Sequence, residues 1–438
     1  MVHRRHWLAT AALSMVATVV VASCAGGAGG TATGTPGGSA NGSAAQKTGT
    51  FVLGIDGPLT GGGAAGGQQM KNGVQMALDA IGNKIGGFTI KTVLIDDKAD
   101  PGVGAQAMEN AITSQGVQAV IGSYNTAVTI AQMDVVVRHK IPYYFVGGSA
   151  LTIDAKIQAN QDLYSYIVGK AYPKSDDLNK AYGEALNYYY GKTPAQFPFG
   201  KTYATYAEDT DYGRTNVTAV KASLDAAGWQ LKSSDYFAIN LTNHVTILEK
   251  LKAAQVSFVY VLGTAIPALA GVINQARQVG LRAYMTGGGI QGAPNWYQLV
   301  GANSEGLIDN VQKFTTKGLK WAQDYEVKYG VPATTSGAGT YYDYGNFLIA
   351  AMQRSLDEYG DITSDTMYKV GVNEVKTGKL TSKDGVVFQQ LAYSLDSWPA
   401  PIVGAEYYSV NLIQYHNGTT DNVIWPVATA TSTLQPIP

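Results

Sequence analysis

The sequence predicts an α/β protein of two lobes, each with a mainly parallel sheet flanked by helices. Three observations support this prediction. The chain has 438 residues, which is long for one hydrophobic core. Apolar residues make up 45% of it, enough to fill sizeable cores. Short apolar strands alternate with amphipathic helices in two separate runs, and this alternation is typical of parallel sheets covered by helices.

The first run gives one lobe its sheet. Its strands are predicted over 51–56, 88–96, 117–122 and 141–146, and its helices over 69–81, 101–115 and 126–139. The helix over 69–81 places Met70, Val74 and Leu78 on one apolar face. Pro101 opens the next helix, a position that proline favours because its missing N–H costs nothing there.

The second run repeats the alternation. Helices are predicted over 174–190, 212–227, 245–254 and 267–279, and strands over 202–207, near Tyr236, over 257–262 and over 283–286. Gly228 and Gly280 stop two of these helices. The remaining chain is predicted to form helices near 319–329, over 340–359 and over 364–376. It ends in two β-like segments over 406–414 and 423–427.

The N-terminal segment is typical of an exported lipoprotein. A basic start, His3 to His6, precedes an apolar run over 7–22, and the sequence Val-Ala-Ser-Cys ends at Cys24, the only cysteine. We therefore predict a signal peptide over 1–23 and lipidation of Cys24. The Gly-, Ala-, Thr- and Ser-rich stretch over 24–49 is predicted to be a flexible tether. These features predict a protein anchored by lipid on the extracytoplasmic face of the cell membrane.

Composition and motifs argue against several other functions. The net charge of −1 gives no reason to expect a nucleic-acid partner. His139, His244 and His416 lie far apart in sequence, so no metal site is predicted. The segment 61–66 matches G-x-G-x-x-G, but a run so rich in glycine matches by chance, and we interpret it as a cleft-facing loop. We find no nucleophile paired with a base, and predict neither a cofactor nor an enzyme.

Seven segments resemble the leucine/isoleucine/valine-binding family, the substrate-binding proteins of ABC importers. In chain order they are VLGIDGPLTG (52–61), GVQMA (73–77), DDKADP (96–101), GVQAVIGS (116–123), KIP (140–142), DTDYGR (209–214) and QARQVG (275–280). Each segment is a weak match alone, but their shared order is specific. Beyond Gly306 the resemblance is loose.

The resemblance implies a type I periplasmic-binding-protein fold, in which three hinge crossovers join the lobes. We predict one lobe over 50–165 plus 312–400 and the other over 166–311 plus 401–438. The implied function is a monomeric solute-binding protein of an ABC importer, which hands a small polar or amino-acid-like ligand to a membrane permease. A ligand-sensing receptor domain on the same fold is the alternative.

The resemblance also implies a set of ligand-binding residues. In the family, the loop after the third strand presents a hydroxyl and backbone N–H groups to a ligand carboxylate, and Thr126 matches that hydroxyl. The predicted site residues are Ser123, Tyr124, Asn125, Thr126, Gly147, Ser149, Tyr212, Thr264 and Gly289. Thr126 and Ser149 also fit a purely structural role as helix N-caps.

Two departures from the family argue against an ordinary branched-chain amino acid as the ligand. The family's amino-acid binders carry an acid after the strand at 283–286 that pairs with the ligand ammonium, but residues 286–291 contain none. The family's aromatic wall residue in the first loop is replaced by Gly66. We therefore expect a ligand without a free α-amino group, such as an organic acid, an amide or an aromatic acid, and bulkier than leucine. The alternative is that Glu208 or Asp209 replaces the missing acid.

Overall fold

A computed structural model describes residues 47–437. The predicted signal peptide, Cys24 and most of the predicted tether lie outside these residues. No helix within 47–437 combines the length and the apolar character needed to cross a bilayer.

The first half of the molecule is built on a five-stranded sheet. Its strands are β1 (Thr48–Gly57), β2 (Lys84–Ile85), β3 (Gly87–Asp96), β4 (Ala119–Gly122) and β5 (Tyr143–Val146), in the order β2-β3-β1-β4-β5. All neighbours pair in parallel except β2 with β3. The helices that follow are α1 (Ala64–Ala80), α2 (Pro101–Thr113), α3 (Thr126–Arg138) and α4 (Leu151–Ala159). Strands β4 and β5 are buried throughout because helices cover both faces of the sheet.

The second half has a four-stranded parallel sheet. Its strands are β6 (Thr202–Glu208), β7 (Gln230–Phe237), β8 (Phe258–Leu262) and β9 (Tyr284–Met285), in the order β7-β6-β8-β9. Its helices are α5 (Ser175–Lys192), α6 (Asp211–Ala226), α7 (Val245–Ala253), α8 (Ile266–Gln278) and α9 (Trp296–Val300).

The rest of the chain completes both halves. It forms β10 (Ile308–Asn310), α10 (Thr316–Tyr329), α11 (Thr340–Tyr359), α12 (Ser364–Val370), β11 (Ser382–Lys383), β12 (Gln390–Leu391), β13 (Leu412–His416) and β14 (Thr419–Trp425). Strands β10, β13 and β14 form an antiparallel sheet, and a parallel bridge from Thr286 to Ile308 sets β10 beside the end of β9.

The hydrophobic cores show that the chain passes between the halves three times. Tyr341 and Phe347 of α11 share a core with Phe51 and Leu53 of β1, so the late helices return to the first half. The passages lie between 171 and 181, between 311 and 314, and between 408 and 412, where successive buried residues change from one core to the other. The predicted α/β class is confirmed. The predicted residue limits of the lobes stay predictions.

Helix starts follow local signals in the sequence. The Asp100 side chain accepts a hydrogen bond of 2.9 Å from the Val103 N–H, which caps α2 ahead of Pro101. The Thr210 hydroxyl accepts one of 3.2 Å from the Gly213 N–H and caps α6. These two turns are the DDKADP and DTDYGR segments, so the motifs serve as helix caps.

Several sequence predictions were wrong in detail. Helices α4 and α9 and strand β10 were not predicted. The segment 406–414, predicted as β-like, becomes a strand only at Leu412. The helix predicted over 364–376 ends at Val370 and continues as a π-helical turn, Gly371–Val375. Helix α1 begins at Ala64, inside the glycine-rich loop and five residues before its predicted start. A Cβ at Gly67 would lie 2.2 Å from the Pro58 carbonyl oxygen. The glycine at 67 is therefore a packing requirement.

Candidate ligand-binding cleft

A cavity of about 360 Å³ lies between the two parallel sheets. Its wall is built where strands end and helices begin, the usual location of ligand sites in open α/β sheets. The loops after β4 and β5 supply Tyr124–Val128, Gly148 and Ser149, while the ends of β6, β8 and β9 supply Glu208, Leu262–Thr264, Gly288 and Gly289. The volume is in the range of small-molecule sites.

The first-half wall presents the N-terminus of α3. The Oγ1 atom of Thr126 and the Oδ1 atom of Asn125 are buried and have no hydrogen-bond partner among the described residues. The α3 N-cap is Asn125, and its side chain makes no capping bond. Because free N–H groups and the helix dipole favour negative charge, this wall suits a carboxylate.

The structural alternative for Thr126 and Ser149 does not fit their positions. Asn125 and Ala150 are the N-caps of α3 and α4, so neither Thr126 nor Ser149 is a cap. Ser149 lines the cavity, and Asn216 of α6 contacts its Oγ atom at 3.5 Å across the cleft. The two halves are thus in contact beside the cavity.

Seven of the nine predicted site residues line the cavity: Tyr124, Asn125, Thr126, Ser149, Tyr212, Thr264 and Gly289. The structure puts Ser123 and Gly147 behind the wall. The Ser123 hydroxyl lies 2.5 Å from the Thr129 hydroxyl. The Ser123 carbonyl accepts a hydrogen bond of 2.9 Å from the Tyr341 hydroxyl. A Cβ at Gly147 would lie 2.2 Å from the same carbonyl oxygen. These two residues therefore shape the loop that presents Tyr124 and Thr126.

The aromatic wall is present, although Gly66 cannot provide it. The Tyr124 ring lies over Gly66, where an added Cβ would be 3.3 Å from two ring carbons. The expectation that Gly66 leaves room for a bulkier ligand is wrong, because Tyr124 occupies that space. Tyrosine rings dominate the wall as a whole: Tyr124, Tyr172, Tyr182, Tyr212, Tyr260 and Tyr408.

Glu208 places a carboxyl on the second-half wall. It ends β6, is 1% exposed, and lines the cavity. Its Oε2 accepts bonds of 2.6 Å from the Thr264 N–H and 2.9 Å from the Thr264 hydroxyl, and its Oε1 accepts one of 2.8 Å from Thr210. Burial raises the pKa of Glu208 above its ordinary value, and these hydrogen bonds oppose the shift. Thr264 therefore contributes by holding Glu208.

Asp209 does not reach the cavity. Its carboxylate is half-exposed and accepts a bond of 2.7 Å from the Arg214 Nε. The neighbouring Glu208 is fixed by the D-x-D-Y-G turn, because a Cβ at Gly213 would lie 2.0 Å from the Glu208 carbonyl oxygen. Only glycine permits that approach. Of the two acids considered from the sequence, Glu208 is the one at the cleft.

Asp309 is a second acid of the cleft, and sequence reasoning missed it. It lies on β10, is 3% exposed, and lines the cavity. Its carboxyl accepts bonds of 3.0 Å and 3.4 Å from the Gly288 and Gly289 N–H groups and one of 2.7 Å from the Tyr415 hydroxyl. Gly288 and Gly289 have φ values of 68° and 98°, which favour glycine. Burial raises the pKa of Asp309 to about 7.

The premise that the cleft lacks an acid is therefore wrong. The loop 286–291 has none, but the bridge between Thr286 and Ile308 sets Asp309 against that loop. No described residue on the cavity wall is Lys, Arg or His. Within residues 47–437, moreover, no group of three or more His, Cys, Asp or Glu is placed to hold a metal ion.

A family model for periplasmic binding proteins matches residues 50–393, most of the chain. The chain belongs to the periplasmic binding protein family. Members of this family are extracytoplasmic, and the relatives found for this chain are solute-binding proteins. The resemblance to leucine/isoleucine/valine-binding proteins is confirmed.

Individual relatives of this periplasmic binding protein are distant. The leucine-, isoleucine-, valine-, threonine- and alanine-binding protein of Pseudomonas aeruginosa is 27% identical over 265 residues, which are 59% of this chain and 65% of that protein. The chain thus spans less than two thirds of that relative's length.

Solved structures share the fold of this periplasmic binding protein. A leucine-binding protein from Thermotoga maritima has a TM-score of 0.68 at 18% identity, covering 85% of this chain and 97% of that one. A solute-binding protein from Rhodopseudomonas palustris in complex with benzoate has a TM-score of 0.67 at 15% identity, covering 89% of this chain and 97% of that one. At such identities the likeness shows the fold alone.

Proposed function

We propose that this protein is the solute-binding component of an ABC importer and captures an amino-acid-like ligand between its lobes. The ligand carboxylate binds the N-terminus of α3 and the Thr126 hydroxyl, and its α-ammonium binds Glu208. The observation that carries the proposal is the pairing of the buried, unpartnered Thr126 hydroxyl at the N-terminus of α3 with a buried acid across one cavity.

The position of Glu208 supports its role as the ammonium partner. Glu208 lines the same cavity as Thr126 and precedes α6, whose Asn216 donates a bond of 3.5 Å to the Ser149 Oγ atom of the first-half wall. One carbon separates the carboxylate and ammonium of an α-amino acid. A residue that binds the ammonium must therefore lie close to the carboxylate site, and we assign this role to Glu208.

The importer role and the cell-surface location extend this proposal. The sequence around Cys24 supports lipid anchoring, and the anchored protein is proposed to deliver its ligand to a membrane permease as a monomer. Membrane fractionation of a Cys24→Ala variant tests the anchor. A variant that stays membrane-bound after washing would contradict it.

Calorimetry with five-carbon ligands tests the binding mode. We expect α-amino acids to bind and the oxo acid 2-oxopentanoate to bind at least about 30-fold more weakly, because it leaves Glu208 without a cation. Thr126→Val should weaken amino-acid binding about tenfold by removing one donor to a charged group. Thr152→Val is the matched control, since the Thr152 hydroxyl is also buried and unpartnered in the described chain but lies off the cavity wall.

Two results would overturn this binding mode. One is oxo acids that bind as tightly as amino acids. The other is full affinity in the Thr126→Val protein, since that would place the ligand carboxylate elsewhere.

A further inference from the structure

We propose that Asp309 forms a second cation site, so that the cleft selects ligands with one carboxylate and two cationic nitrogens. Such a ligand has a net charge of +1, as in a diamino acid. This inference rests on the proposed function, in which Glu208 binds the α-ammonium of the ligand. It adds that Asp309 binds a second cationic group at the end of the ligand side chain.

Hydrogen-bond capacity supports the proposal. A carboxylate offers about four acceptor positions. The described hydrogen bonds to Asp309 come from three donors, the N–H groups of Gly288 and Gly289 and the Tyr415 hydroxyl. The neighbouring Gly287 N–H donates instead to the Ile308 carbonyl at 3.3 Å. One position therefore remains for a ligand, and the residue lines the cavity.

Charge balance also supports it. Glu208 and Asp309 are both nearly inaccessible to water, and every donor given above for them is a neutral N–H or hydroxyl. The described cavity wall has no basic side chain. Burying a carboxylate without a counter-charge is costly, and a carboxylate that meets a cation in the bound state regains much of that cost. Because the described wall has two acids and no basic side chain, the ligand must supply the positive charge that pairs with each acid.

Glu208 and Asp309 lie at separate points of the second-half wall. Glu208 ends β6, and Asp309 lies on β10, which is set beside the end of β9. Strands β8 and β9 stand between β6 and β10, and neighbouring strands are about 4.8 Å apart. The helix that follows Glu208, α6, meets the first-half wall where Asn216 contacts Ser149, so we assign Glu208 to the end of the ligand that carries the carboxylate. This order matches a ligand whose second cation stands at the end of its side chain.

A matched pair of ligands tests the proposal. Norvaline and ornithine have the same five-carbon chain, and ornithine adds an ammonium at the far end. In the wild-type protein, calorimetry should show ornithine binding at least about tenfold more tightly, the gain expected from one hydrogen bond to a charged group. In Asp309→Asn, ornithine should lose about 30-fold or more while norvaline changes little.

The norvaline measurement separates binding from folding. An Asp309→Asn protein that still binds norvaline is folded, so a selective loss of ornithine cannot come from a damaged turn at Gly288. The proposal is overturned if wild-type protein binds norvaline as tightly as ornithine, if it binds neither ligand, or if Asp309→Asn leaves ornithine binding unchanged. If amino acids still bind better than oxo acids, the proposed function survives that failure. If they do not, both fail.

Discussion

Both halves of the molecule bury acids at their strand ends, but only the second half turns them toward the cleft. In the first half, Asp56 is the penultimate residue of β1 and accepts bonds of 2.8 Å from Gln132 and 2.5 Å from Tyr143, away from the cavity wall. In the second half, Glu208 ends β6 and lines the cavity. Equivalent positions in two similar sheets thus serve different purposes.

The difference gives the cleft two unlike walls. The first-half wall offers the unpartnered Thr126 hydroxyl and the N-terminus of α3, and no described acid of the first half lines the cavity. The second-half wall offers Glu208 and Asp309 with neutral partners only. A ligand that carries both charges can therefore bind in one orientation, with its carboxylate toward α3.

The largest effect is expected from Glu208→Gln. The variant keeps the shape of the side chain but removes the charge that pairs with the α-ammonium. We expect affinity for norvaline and ornithine alike to fall about 30-fold or more, as when one partner of a buried charge pair is lost. Calorimetry measures the loss for each ligand.

Asp209→Asn is the matched control for Glu208→Gln. It removes an acid one residue away that is half-exposed, paired with Arg214 and absent from the cavity wall. Its affinities should equal those of the wild-type protein. Equal losses of affinity in the two variants would show that the net negative charge of this region, rather than the Glu208 carboxyl in the cleft, controls binding.

A smaller effect is expected from pH. Burial raises the pKa of Asp309 to about 7, so the empty site gains a proton as pH falls through neutrality. A cation binds the ionised form, and the ratio of ornithine to norvaline affinity should rise about tenfold or more between pH 5.5 and pH 8. The pKa of Glu208 is also raised. Both ligands contact Glu208 through an α-ammonium, so the titration of these two groups affects both affinities alike and cancels in their ratio.

The groups facing Asp309 do not obscure this titration. They are Tyr415 of β13, Tyr182 of α5, Tyr212 of α6 and Tyr260 of β8, and the pKa of each phenol is raised well above its ordinary value. Asp309→Asn should make the affinity ratio independent of pH. Asp56→Asn is the contrast, because its pKa is also raised by burial but it lies off the cavity wall. If Asp56→Asn removed the pH dependence of the affinity ratio and Asp309→Asn did not, the assignment of this titration to Asp309 would be refuted.

The sequence was sufficient for the α/β architecture and for the location of the α3 N-terminus. Strand and helix periodicity predicted the two α/β runs, and the match around Thr126 predicted the residues at the start of α3. Such features depend on neighbours close in sequence, namely caps, apolar faces and the loop after a strand. They can be recognised without knowing how distant segments meet.

The family's wall aromatic and ammonium-binding acid are both absent from their usual places in this sequence. They could not be located from the sequence because residues on other elements of the fold occupy the corresponding space. The wall aromatic absent at Gly66 is provided by Tyr124, which is distant in sequence but lies over that glycine. In the proposed binding mode Glu208 takes the role of the acid absent from 286–291, and Asp309 on β10, a strand of three residues, adds a second acid beside that loop. That strand is held by pairing with β13, more than a hundred residues away. Comparison by position in the chain cannot detect an acid brought in this way.

A crystal structure with bound ornithine tests the polarity of the cleft most directly. The account predicts the ligand carboxylate within hydrogen-bonding distance of the Thr126 Oγ1 atom and the α3 N-terminus, the α-ammonium against Glu208, and the terminal ammonium against Asp309, each at about 2.7–3.2 Å. A ligand bound in the reverse direction, or a terminal ammonium that points to solvent while Asp309 keeps only its contacts with Gly288, Gly289 and Tyr415, would contradict it.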